Sequence, residues 1–372
     1  VFRGRLLRSG PAPCLALMGC SGDPASQFCN LFAAWILIAA GTALYLPGTL
    51  AWIDGALTTK FLITLSFLVG TTTKPGEFSE CMKRPRPIVV NFLATFLAVP
   101  LLAVSLVRLG GLSEDVMIGM VILGCVSGGT SSNIVAMIAD ADVPLSVLMT
   151  STTTLGSVVC TPLLAKFLLG SVVPVDTAGI LYSAVQVVLA PIALGVLSGA
   201  ALPRTCRALK PAIPVFGVTV AALIVGGILS RNVDTLWASK PIMHVCVVAL
   251  HLIAGAFGYA CSASVGGDER ERRTVALEVG MKNCAFASVL ATKHFASAAV
   301  VSPCAASLLW CPLLASLLAV VWKSQPAGPA KAGKDARSLP GWSSHGPDCE
   351  GCVKDVAMAK AVKDLARIHA AF

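Results

Sequence analysis

Two polar runs interrupt otherwise apolar stretches of this chain. Gly128-Gly129-Thr130-Ser131-Ser132-Asn133 lies inside the apolar stretch 115–139, and Glu278-Val279-Gly280-Met281-Lys282-Asn283 lies inside 274–292. Each glycine inside a helix costs roughly 1 kcal/mol relative to alanine, and polar side chains in apolar surroundings add a desolvation cost. The combination predicts a break in each helix, with freed backbone groups facing a cavity. Glu278 is an ionisable group in mid-stretch, a placement costing several kcal/mol unless the group is paired or functional. The chemistry these residues suit is the binding of a small charged solute. Small-residue packing between helices is the competing reading. It accounts for either run alone, but it leaves Glu278 unexplained and does not account for two polar breaks at one repeat offset.

The elements that must position these runs are membrane spans. Of 372 residues, 56% are apolar and 13% charged, against about 45–50% and about 25% in soluble chains. Ten apolar spans are predicted near 31–50, 56–73, 87–108, 115–139, 143–169, 177–201, 211–230, 241–262, 274–292 and 296–322, each near the ~20 residues a bilayer requires. Basic residues gather in alternate loops: Lys74, Lys83, Arg84 and Arg86, then Arg204, Arg207 and Lys210, then Arg270, Arg272 and Arg273. That bias turns these loops and both termini to the cytoplasm or stroma. Residues also recur at one offset. Ser132-Asn133 and Lys282-Asn283 stand 150 residues apart, and Pro162-Leu163-Leu164-Ala165 returns at the same offset as Pro312-Leu313-Leu314-Ala315. Five spans separate the copies, so the two five-helix repeats, 31–169 and 177–322, run in opposite directions. That is a transporter architecture with its site at the repeat interface.

The remaining segments restrict the function. Residues 1–30 hold Arg3, Arg5 and Arg8 against one acid, Asp23, a composition expected of a transit-peptide remnant; a plain cytosolic tail is the alternative. Residues 323–372 are polar, and 353–372 are predicted to form an amphipathic helix too charged to span. The net charge of +9 is spread over loops and ends and forms no face that tracks phosphates, which argues against nucleic acid. Half of the fourteen cysteines, Cys125, Cys160, Cys246, Cys261, Cys284, Cys304 and Cys311, lie in apolar segments, where cysteine behaves as a small hydrophobe. Cys349 and Cys352 form a CxxC with no second pair nearby, which argues against a metal there. His244, His251 and His294 are scattered, without a nucleophile or acid–base motif, so the chain is not expected to be an enzyme. His251 is expected to be packed and hydrogen-bonded. A channel would need a continuous polar path, and no span is polar along its length.

Gly128–Asn133 with Pro144–Leu155, and Thr274–Asn283, resemble the bile acid:sodium symporter family, and the resemblance covers 31–322. It implies an all-α membrane protein of ten transmembrane helices, with a panel domain (spans 1, 2, 6, 7) and a core domain (spans 3–5, 8–10) in which two broken helices cross. It implies one sodium ion held by Ser132, Asn133, Ser146, Thr150 and Glu278. All five supply oxygen, which suits a hard cation, and Ser146 and Thr150 share one helix face. Family members commonly hold a second sodium ion with two glutamines. Thr95 and Lys282 stand at those positions here, and a charged lysine cannot ligate a cation. Lys282 is expected either to take the place of that ion and pair with Glu278, or to extend into a water-filled vestibule.

The substrate is expected to be an anion, because free N–H groups at the helix starts after the breaks favour negative charge. Thr130 and Asn283, at corresponding places in the two repeats, are the expected contacts, with Ser131 beside them. The resemblance implies pyruvate, other keto acids, pantothenate or bile-salt-like acids as substrates. It also implies a plastid envelope location, otherwise the plasma membrane, with sodium, the organic anion and lipid as partners. A proton-coupled or sodium-independent carrier of the same fold is the alternative.

Overall fold

Prolines and acidic caps decide where the apolar runs begin to coil. A computed structural model describes residues 28–29, 31–72, 84–202, 204–206 and 212–325, and among these every regular element is helical. The first half of the described chain holds α1 (Phe32–Tyr45), α2 (Gly55–Thr72), α3 (Pro85–Leu109), α4 (Glu114–Cys125), α5 (Ser132–Ile138) and α6 (Val143–Leu169). The second half holds α7 (Thr177–Ala201), α8 (Ile213–Arg231), α9 (Pro241–Ser264), α10 (Glu269–Gly280), α11 (Cys284–His294) and α12 (Ala298–Lys323). Among the described residues six helices, α3, α6, α7, α8, α9 and α12, are long and apolar enough to cross a membrane, while α1 and α2 are shorter and apolar. The predicted leader up to residue 27, the tail helix, the CxxC, Lys74, Lys83, Arg207 and Lys210 lie outside the described residues.

Local chemistry explains the starts. Proline stands in the first turn of α3, α6, α8 and α9, where its missing N–H costs nothing. Asp142 accepts from Leu145 N at 3.1 Å to open α6, and Asp176 accepts from Gly179 N at 2.8 Å to open α7. One expected boundary is corrected. Asp268 and Glu271 form a reciprocal capping box, so α10 starts at Glu269 rather than near Thr274. Arg270, Arg272 and Arg273 therefore lie in helix, not loop. Arg273 is 2% exposed. It pairs with Glu269 at 2.8 Å and donates to the carbonyls of Ala139 at 3.1 Å, Trp322 at 3.0 Å and Gln325 at 2.5 Å. A cation so placed satisfies carbonyls left open at the ends of α5 and α12.

Two packing groups result. The helix α1 lies on α8, and α2 lies on α7 and α8; elsewhere α3 lies on α4, α9 on α10, and α12 against both α4 and α11. Residues Ile118 to Cys125 of α4 are all buried, as expected for a helix apolar on every side.

Candidate functional site

The predicted breaks fall between α4 and α5 and between α10 and α11. There the two chains cross in extended form and pair antiparallel, Gly128 opposite Lys282. Gly129 N donates to Met281 O, and Asn283 N donates to Ser127 O, both at 2.9 Å. Some of the freed backbone groups therefore satisfy each other rather than facing a cavity as expected. The crossing needs the glycines. A Cβ at Gly129 would stand 2.9 Å from the Lys282 carbonyl oxygen, and one at Gly128 would stand 3.1 Å from Glu278 Oε2. The carbonyls at the broken ends find side chains. Thr161 of α6 donates to Cys125 O at 2.8 Å, and His251 of α9 meets Gly280 O through Nδ1 at 2.7 Å. His251 is buried and hydrogen-bonded at both ring nitrogens, as expected.

Glu278 is fully buried beside the crossing. Ser132 and Ser146 donate to its Oε1 at 2.5 Å each, and Thr150 donates to its Oε2 at 2.8 Å. The Asn133 Oδ1 lies 2.8 Å from Ser146 Oγ and 3.5 Å from Thr150 Oγ1. All five residues expected around a cation thus converge from α5, α6 and α10. The cluster holds more acceptors than protons. Ser146 carries one hydroxyl proton but faces both Glu278 and Asn133, and Thr150 also faces its own helix through Ser146 O at 3.0 Å. A hydroxyl donates once and accepts twice, so these hydroxyls leave oxygen lone pairs uncovered, an arrangement that suits a cation.

Lys282 is buried, and its ammonium donates to the carbonyl oxygen of Thr95 at 3.5 Å. The local helix explains that partner. Residues Ala94–Ala98 form a π-helical turn in which Val99 N reaches Ala94 O. The next donor in that register would be Pro100, which has no N–H, so the Thr95 carbonyl is left open for the lysine. The expected pairing of Lys282 with Glu278 is not formed: among the described residues Glu278 takes the three hydroxyls and no ion pair joins it to Lys282. Nor does its ammonium reach out into water: Lys282 is 3% exposed, and its Nζ ends at the Thr95 carbonyl. Thr95 Oγ1 and, one turn earlier, Asn91 Oδ1 are buried without a partner among the described residues.

Gly129, Thr130, Ser131, Lys282 and Asn283 form the polar wall of a crevice of about 90 Å³, and Phe32, Ile36, Leu62 and Ile224 stand on its apolar wall. Asn283 caps α11 by accepting from Phe286 N at 3.2 Å, which leaves its NH₂ group as the end available to a ligand. The three residues expected to contact an anion are thus together in one crevice, with Lys282 added.

Other polar groups escaped sequence reasoning. Arg84 reaches Asp142 at 2.6 Å and Glu271 at 2.5 Å, joining the starts of α3, α6 and α10. Burial lowers the Arg84 pKa, but bonds to the two carboxylates and their charges outweigh this, and the net shift is upward. Its loop position was legible; its partners lie 58 and 187 residues away.

The chain is similar to known proteins across this region. The model of the sodium bile acid symporter family matches residues 59–239. The protein named "Probable sodium/metabolite cotransporter BASS2, chloroplastic" of Oryza sativa subsp. japonica is 34% identical over 80% of this chain and 71% of its own length. "Probable sodium/metabolite cotransporter BASS1, chloroplastic" of Arabidopsis thaliana is 32% identical over 78% of this chain and 73% of its own. "Uncharacterized sodium-dependent transporter YocS" of Bacillus subtilis (strain 168) is 29% identical over 83% and 95%.

Proposed function

This chain belongs to the sodium bile acid symporter family, and from that membership we propose that it is a sodium-coupled carrier of a small organic anion, not an enzyme. The observation that carries the proposal is the convergence of Ser132, Asn133, Ser146, Thr150 and Glu278 from three helices. Sodium takes the lone pairs that the hydroxyl protons cannot cover, and the Glu278 carboxylate offsets its charge. In this reading α4–α5 and α10–α11 are the fourth and ninth of ten spans in two inverted repeats. The group α1, α2, α7, α8 is the panel and the remainder is the core. The crevice between them holds the substrate, whose carboxylate meets Thr130, Ser131 and Asn283 while its carbon body meets the apolar wall. A volume of about 90 Å³ lies well below the ~300 Å³ at which pockets for drug-sized ligands begin. It favours pyruvate and other small keto acids over bile-salt-like acids.

Relatives named as chloroplastic and the Arg-rich leader support a plastid envelope location. A proton-coupled carrier is the second reading, supported by the buried amine of Lys282 at the same crossing. Uptake of a panel of radiolabelled organic acids into proteoliposomes, with sodium or proton gradients imposed separately, tests both. Saturable uptake driven by sodium is expected. Uptake that follows only the proton gradient selects the second reading, and equal flux without either gradient defeats coupling altogether.

A further inference from the structure

A second cluster lies behind the crossing, and the ion and anion contacts do not use it. His251 of α9, Cys284 at the first position of α11 and Cys311 of α12 are all buried, and their Nε2 or Nδ1 and Sγ atoms lie within 4.8 Å of one another. Ser307, one turn before Cys311, sits among them, 2.6 Å from His251 Nε2 and 2.9 Å from Cys284 Sγ. The imidazole is already set for ligation. Gly280 O holds Nδ1 at 2.7 Å, which fixes the tautomer with its proton on Nδ1, as outer carbonyls do for metal-binding histidines, and leaves the Nε2 lone pair to accept from Ser307 at 2.6 Å, a hydroxyl that an ion at Nε2 would turn aside or recruit. Cys284 Sγ lies 3.1 Å from Lys282 O, so the first turn of α11 aims this sulfur back toward the crossing.

We propose that His251, Cys284 and Cys311 bind a thiophilic divalent metal ion of the zinc class, with Ser307 or water as the fourth ligand. Two thiols and an imidazole with an open fourth position suit tetrahedral zinc, whose bonds are about 2.3 Å to sulfur and about 2.0 Å to nitrogen. The charge balance suits a buried position. Coordination releases the two S–H protons to solvent, and two thiolates with one dication sum to zero, so no net charge is buried beside Lys282. Two cavities adjoin the cluster. His251 and Cys311 line a cavity of about 390 Å³ against α9, α10 and α12, and Cys284 and Cys311 line the crevice at the crossing. The ion would tie α9, α11 and α12 together at the residue that follows Asn283. This goes beyond the sodium reading and stands or falls separately from it.

The test uses the purified full chain in detergent with a non-thiol reductant, titrated with Co²⁺ as the probe. One equivalent should bring thiolate-to-metal charge transfer and tetrahedral d–d absorption, both displaced by Zn²⁺. Cys284→Ser and Cys311→Ser should each weaken binding about tenfold or more, while Cys349→Ser/Cys352→Ser should keep the signal. Zn²⁺ should also protect Cys284 and Cys311 of the unaltered protein from alkylation, read by mass spectrometry, which does not depend on any variant folding. Tetrahedral absorption that persists in Cys284→Ser/Cys311→Ser, absorption lost only with the CxxC pair, or alkylation unaffected by Zn²⁺ would overturn the assignment.

Discussion

At the scale of single residues, Glu278 decides the outcome. Three hydroxyls donate to its carboxylate within 2.8 Å, and it supplies the only negative charge among the five converging side chains. Glu278→Gln keeps the shape but removes the charge and replaces one acceptor oxygen with a donor. Losing a charged partner of this kind costs roughly 3 kcal/mol, on the order of a hundredfold in sodium affinity. Sodium-driven uptake should fall to background while the protein still inserts and purifies, and wild-type uptake by this variant would remove Glu278 from the ion site. The identity of Glu278 as an expensive mid-span charge was legible from its neighbours in the chain. Its partners Ser146 and Thr150 were expected from family resemblance, because hydroxyls four residues apart in a helix most often bond their own backbone. Thr150 in fact does both.

At the scale of elements, the crossing depends on two chains approaching without side chains between them. Gly129→Ala would place a Cβ 2.9 Å from the Lys282 carbonyl oxygen, a backbone atom that cannot swing aside. Overpacking of this kind costs roughly 1–3 kcal/mol and should separate the pair of hydrogen bonds that joins the breaks. The expected result is a lowered Tm together with weaker sodium binding, measured on the same purified sample. An unchanged Tm would show that the extended crossing is not held as tightly as the contacts require. The breaks themselves were legible, since two glycines followed by polar residues do not continue an apolar helix. The start of α10 was misplaced because charged residues suggested a loop, whereas the Asp268–Glu271 box makes them the first turns of a helix. The π-helical turn in α3 had no visible signal beyond Pro100.

For the whole molecule, the proposed coupling should move one cation with each anion. Lys282 is buried at the crossing with a carbonyl as its partner, at the position where the family resemblance implies a ligand of a second ion. A second cation within ~4 Å of that ammonium would be repelled by roughly 4 kcal/mol at an effective dielectric of about 20, enough to reduce its occupancy about a thousandfold. The sodium dependence of initial uptake should therefore show a Hill coefficient near one, and Lys282→Gln should raise it or change the response to pH. A coefficient near two in the unaltered protein would mean that the lysine does not stand in for an ion.

The membrane class, the two polar breaks and the repeat offset could be read from the order of residues alone, and so could Glu278 as a charge that needs a partner. These are properties of local composition and spacing, and burial in an apolar bilayer leaves few other solutions. Which side chains meet was settled by packing in three dimensions. It directed Lys282 to the Thr95 carbonyl rather than to Glu278, because Pro100 leaves that carbonyl open while three hydroxyls already occupy the carboxylate. It sealed the broken strands against each other, and it brought His251, Cys284 and Cys311 together from three helices. Side-chain partners across such distances are set by how helices pack, and helix packing is not written in the spacing of residues along one chain.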